Sequence, residues 1–214
     1  MALYQLWLAR NDARDEPIIE DPERIARRTV ALMEEWWSLR ASPPAHETQR
    51  MEHWLPPPVG WYKVNTDDAF HQSTGRGGGG AVVRDHHDSF LAGACRFFPN
   101  VPDPERAELL ACRSAVVLAK EVGVTKIALE TDCAGAVSKL MGKETDRSVH
   151  GPLVEEIKSL LKGFDVFSVN HVRHTCNVVA HRLAKEGCEN NLCNTWLGCP
   201  PGWLMNLVAL DASV

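Results

Sequence analysis

The chain has 214 residues, 44% of them apolar and 24% charged, enough for one domain of ordinary size with an appendage. Its formal net charge of −5 argues against a protein held to nucleic acid by basicity alone, but leaves open a nuclease whose acids are neutralised by metal ions. The seven cysteines form no CxxC pair, which predicts reduced thiols in an intracellular protein and gives little support to a zinc site at Cys188, Cys193 and Cys199.

The opening MALYQLWLAR meets a charge too soon to serve as a signal peptide, and no apolar run is long enough for a membrane span. Residues 1–40 are expected to be a helical extension. Its main element is an amphipathic helix over 21–40, with Ile25, Val30, Leu32, Met33, Trp36 and Trp37 near helical spacing. Residues 41–60 carry Pro43, Pro44, Pro56, Pro57, Pro58 and Gly60 and read as a stiff linker.

The body is expected over 61–187. An apolar run at 61–67 ends in acids, Asp67 and Asp68, and reads as a strand. The glycines at 77–80 read as the turn into a second strand, 79–86; His87-Asp88 turns the chain into a third, 89–97. A long helix follows, with Asp103 as N-cap, Pro104 at its first position and Gly123 closing it. "TKIALETD" is a short strand ending at Asp132. Helices are expected at 133–141, 150–162 and 175–187, with a strand over 164–172. A meander followed by helix–strand alternation predicts an α/β domain with one mixed sheet. The tail, 188–214, is expected to be loop and a short helix.

Strand ends gather functional groups in such sheets. Asp67, Asp132 and Glu108, the last about one turn into the long helix beside Ala107, Ala111 and Ala115, are placed to converge. Converging carboxylates repel one another and raise each other's pKa unless a cation joins them, and oxygen-only ligands suit Mg2+ or Mn2+. Taken singly, each acid also fits a cap or a solvated charge; Asp132 fits an N-cap for the helix from Cys133.

The ordered motifs K-V-N-T-D (63–67), A-E-L-L-A (107–111), E-T-D (130–132) and H-V-R-H-T-C-N-V-V-A-H-R-L-A (171–184) resemble the type 1 ribonuclease H domain. The resemblance is nearest to the ribonuclease H-like domains of plant non-LTR retrotransposons and their domesticated relatives. It implies a ribonuclease H-like fold with a five-stranded mixed sheet in the order 3-2-1-4-5. It also implies cleavage of the RNA strand of RNA/DNA hybrids by two divalent ions. In that family's terms Asp67 bridges the metals, Glu108 holds one and orients the attacking water, Asp132 ligates, and His171 assists proton transfer or product release. Asn177 orients its loop at the nucleic-acid face. Gly77 and Gly78 are expected to let the nucleic-acid backbone approach the chain.

The pattern departs from the family in several places. The fourth metal position, usually aspartate, is His181, which favours Mn2+ over Mg2+. Asp68 replaces a small residue and is expected to face outward. Asp103, Pro104 and Glu105 stand where bacterial enzymes carry the residues that read 2′-hydroxyls, so weak, salt-sensitive binding follows. A second reading keeps the fold without the chemistry, as a nucleic-acid or protein binding module from a decayed retroelement. A 3′–5′ exonuclease of the same superfold fits the glycine run and the His171–Asn177 spacing less well. A monomer with no membrane partner and no small-molecule cofactor is expected.

Overall fold

A computed structural model describes residues 54–211. The expected helix at 21–40 lies outside them, as does most of the expected linker. The sheet is mixed and six-stranded, in the order β5-β4-β1-β2-β3-β6. Its first three strands, β1 (Tyr62–His71), β2 (Arg76–Arg84) and β3 (Phe90–Phe98), form an antiparallel meander. β4 (Lys126–Thr131) lies parallel to β1, and β5 (Val166–His171) parallel to β4. The expected order 3-2-1-4-5 is present, extended by one strand at the β3 edge.

Helix α1 (Pro104–Glu121) starts where the Asp103 side chain accepts from the Arg106 N–H at 2.8 Å, with proline just inside. Its buried face (Ala107, Leu109, Ala111, Cys112, Ala115, Val116) lies on the sheet within the larger core, which also takes in Val64, Ile127, Leu129 and Ile157. α2 (Ala134–Met141) and α3 (Gly151–Leu161) form the crossover from β4 to β5. α4 (Val178–Asn190) covers the opposite face of β2, ending at Asn191 in the left-handed conformation.

The glycine run is not the turn. The turn is residues 72–75, closed by the Thr74 and Gly75 N–H groups donating to the His71 carbonyl, with Gly75 at φ +64°. Gly77 to Gly80 lie inside β2, all buried, because helices press on both of its faces. A Cβ at Gly80 would come within 2.0 Å of the Ala180 carbonyl oxygen, and one at Gly78 within 2.3 Å of that of Ala184. On the other face a Cβ at Gly79 would meet the Phe98 ring at 2.9 Å and the Ala111 Cα at 3.2 Å. The space beside Gly78 is filled by α4 backbone, and that beside Gly77 by the Val101 side chain.

The tail also differs from its expectation as loop and helix. β6 (Asn194–Leu197) pairs antiparallel with β3, Trp196 opposite Gly93. α5 (Gly202–Asp211) inserts Leu204 and Val208 into a second core with Val82, Phe90, Cys95, Val179 and Leu183. Each large aliphatic side chain buried there stabilises the fold by ~1.5–3 kcal/mol. The last described residue, Asp211, accepts from Arg84 Nη2 at 2.7 Å. Arg84 is 1% exposed and its guanidinium stacks 3.6 Å from the Trp54 ring. Among the described residues no helix is long and apolar enough to cross a membrane.

Candidate active site

The parallel register of β1 and β4 assembles the acids. Asn65 stands opposite Glu130, so two steps further along both strands Asp67 and Asp132 come side by side. Asp67 is not at a strand end as expected: β1 continues four residues past it, and it is β4 that stops. Glu108 reaches the same point from α1, its carboxylate 3.5 Å from the Thr131 hydroxyl. Carboxylate oxygens of Asp67, Glu108 and Asp132 all lie within 4.8 Å of one another. Asp132 does not cap α2, because the Cys133 Sγ accepts from Ala136 N–H in that role.

Burial and crowding act strongly on these groups. Burial, then the Asp132 charge, pushes Asp67 up to about 8. Burial, then the adjacent Asp68, pushes Glu108 up to about 9. Asp68 does not face outward. It is half-buried, and burial, the largest influence on it, raises it to about 6, while Glu108 acts to lower it. Strand alternation puts Asp68 on the α1 side of β1, the side Glu108 approaches from. A donor set of this kind, all oxygen and strained by its own charge, fits divalent cations.

Histidines line the remaining side. Asn177, only 1% exposed, donates to the Thr66 carbonyl at 2.9 Å and tethers the start of α4 to β1. One turn later His181 places Nδ1 2.7 Å from Asp67 Oδ2, a contact that requires a proton between them. Burial, then the neighbouring His174, pulls His181 downward. His171 is exposed, with Nε2 3.1 Å from the Asp132 carbonyl oxygen. His174, absent from the sequence expectation, comes from a 3-10 turn (His174–Cys176). Its Nδ1 lies 3.0 Å from Asp132 Oδ2, and its ring meets His181 edge-on at 4.6 Å. Its signal in the sequence was the His171-x2-His174-x2-Asn177 spacing, with His181 one turn on.

At the start of α1, Asp103 and Glu105 are engaged within the protein. Lys139 pairs with Glu105 and, at 3.1 Å, with Asp146, while His150 Nε2 sits 3.3 Å from Asp103.

The reverse transcriptase-like family matches residues 65–187, a span that runs from β1 through α4 and contains every residue of this cluster. The chain belongs to that family, whose domain here is ribonuclease H-like. An Arabidopsis thaliana protein named "Putative ribonuclease H protein" is 30% identical over 136 residues, covering 64% of this chain and 22% of the relative. The chain thus spans under a quarter of that relative's length. The N-terminal RNase H domain of a Mycobacterium tuberculosis protein superposes with a TM-score of 0.57 at 21% identity, over 61% of this chain and 94% of that one. RNase H1 of Halobacterium salinarum gives 0.54 at 23%, over 61% and 98%. LC11-RNase H1, solved in complex with RNA/DNA hybrid, gives 0.56 at 15%, over 61% and 98%. These structures share the ribonuclease H fold with this reverse transcriptase-like domain.

Proposed function

We propose that this reverse transcriptase-like domain is a metal-dependent endonuclease that hydrolyses the RNA strand of RNA/DNA hybrids. The observation that carries the reading is the meeting of Asp67, Glu108 and Asp132 oxygens within 4.8 Å, delivered by two strands and a helix. The raised proton affinities of Asp67 and Glu108 mark a site that is unfavourable without cations. Asp67, Glu108, Asp132 and His181 would hold two divalent ions, Mg2+ or Mn2+, which when bound supply a nucleophilic water and neutralise charge at the phosphate.

The chain's own groups have distinct tasks. Asp67, central in β1, would contribute to holding both ions, together with Asp132 and His181 beside it. Glu108 accepts a hydrogen bond from the attacking water and orients it toward phosphorus. The P–O3′ bond breaks, leaving a 3′-hydroxyl and a 5′-phosphate. His171, exposed at the rim and steadied by the Asp132 carbonyl, delivers or accepts the proton exchanged with solvent. The partner that supports this reading is the hybrid seen with LC11-RNase H1, a protein of the same fold.

Cleavage of a labelled RNA/DNA hybrid, with Mg2+ and separately with Mn2+, tests the proposal. Hybrid-only cleavage that disappears in Asp67→Asn is the expected result. Folded protein that binds hybrid and cuts it with neither ion overturns the enzyme reading in favour of a binding module.

A further inference from the structure

The acids are not the only donor set at this site. A ring nitrogen of His174, a ring nitrogen of His181 and an Asp67 oxygen also lie within 4.8 Å of one another. Donors around one ion sit ~2.0–2.2 Å from it, so their mutual separations fall below about 4.4 Å, and the observed spread needs only a small side-chain adjustment. The two rings already meet edge-on at 4.6 Å, and each touches a carboxylate of the acid cluster. Asp132 holds His174 Nδ1 at 3.0 Å, the kind of carboxylate–imidazole contact that orients a ligating ring.

The two donor sets differ in chemistry. Asp67, Glu108 and Asp132 offer oxygen only and three negative charges, a set suited to hard ions. Asp67 with two imidazoles offers one charge and two nitrogens, a set suited to Mn2+, Co2+ or Zn2+ and poorly suited to Mg2+. Building on the metal-dependent reading above, we propose that Asp67, His174 and His181 form a nitrogen-rich cation position that takes a borderline transition ion in preference to Mg2+. His174 is its third ligand. The chain then holds two unlike ions across Asp67, one oxygen-ligated and one histidine-ligated, and a mixture of Mg2+ and a transition ion fills the pair better than Mg2+ alone.

Pulsed EPR of Mn2+ bound to the full chain, with binding measured by calorimetry, tests this independently of turnover. Couplings from two imidazole nitrogens are expected in the native protein. His174→Ala should remove one and weaken Mn2+ binding about ten-fold or more, whereas Glu108→Gln should leave both couplings in place. Excess Mg2+ should fail to erase them. His174 is exposed on a short turn, so its replacement spares the core; circular dichroism checks the fold. Native protein without nitrogen couplings, or His174→Ala with unchanged couplings and affinity, overturns the inference. Hybrid cleavage without nitrogen ligation sinks this inference and spares the proposed function. Nitrogen ligation without cleavage does the reverse.

Discussion

Asn65 on β1 and Glu130 on β4 are joined side chain to side chain, the Asn65 amide donating to Glu130 at 2.9 Å. Trp54 Nε1 donates to the Asn65 carbonyl oxygen at 2.8 Å, and Lys63 pairs with Glu130 at 2.9 Å. This buried network locks the two strands in register two residues below Asp67 and Asp132. Asn65→Ala leaves Trp54 Nε1 without its acceptor and removes one of Glu130's two partners, and an unsatisfied buried polar group costs ~1–3 kcal/mol. Urea unfolding should show a loss in that range. Hybrid cleavage should slow as well, because the acids lose their fixed spacing.

Metal-free protein should weaken as pH rises. Asp67 titrates at about 8 and Glu108 at about 9 in the folded state, far above their ordinary values of 3.8 and 4.5. The folded chain therefore keeps protons that the unfolded chain has released. Stability is greatest below the ordinary carboxylate range and declines between about pH 4 and pH 9. Divalent ions replace those protons, so the rise in Tm on adding Mn2+ should be larger near pH 8 than near pH 5. Thermal melts with and without chelator decide this; an equal rise at both pH values refutes it.

Gly80→Ala should be among the most damaging single-methyl changes in the chain. The added carbon would lie 2.0 Å from the Ala180 carbonyl and 2.4 Å from the Ala184 nitrogen, both backbone atoms of α4. Helix and strand must separate, at a cost of ~3 kcal/mol or more. His181 rides on that helix, so the Asp67–His181 contact lengthens too. Denaturant midpoints of Gly80→Ala and of the open-space control Gly123→Ala, strained only through its positive φ, make the comparison.

Asp211→Ala leaves the Arg84 guanidinium buried without its closest carboxylate. Breaking such a pair costs ~3–5 kcal/mol. Replacing both partners with apolar residues of similar size should recover most of that loss, since desolvation is relieved along with the attraction. A double-mutant cycle in chemical denaturation reads both numbers.

His171→Ala should reduce kcat ~100-fold, within the range for a lost proton-transfer group, and leave divalent-ion affinity nearly unchanged. Its ring nitrogen meets the Asp132 backbone carbonyl rather than a carboxylate. Single-turnover cleavage beside calorimetric titration separates the two effects.

The order of the main elements was legible because local signals agreed with the fold. Asp103-Pro104 started α1 and Gly123 closed it, while the register that joins Asp67 to Asp132 comes from the pairing of β1 with β4. The misread glycines show where local signals stop. Four glycines in sequence favour a turn on propensity alone, and only the packing of α1, α4, Phe98 and Val101 against β2 explains why no side chain fits there. Asp68 was expected to face outward, but both faces of β1 are covered, so the side opposite Asp67 is also inside. β6 has no apolar alternation in Asn-Thr-Trp-Leu, and Arg84 and Asp211 are 127 residues apart. His174 escaped because its role depends on a turn that folds it back over Asp132.

β6 also protects the sheet from other chains. β3, nine residues of FLAGACRFF, would otherwise end the sheet as a long row of unpaired amides and carbonyls beside an apolar face. Such edges recruit further strands and seed aggregates. The four residues of β6 cover its centre, Ala92 to Cys95, and are followed by Gly198 and the proline pair Pro200-Pro201, a poor template for another strand. A recombinant boundary drawn just after α4 would keep every residue of the proposed catalytic cluster and yet bare this edge, so a segment remote from the chemistry guards the sheet against association.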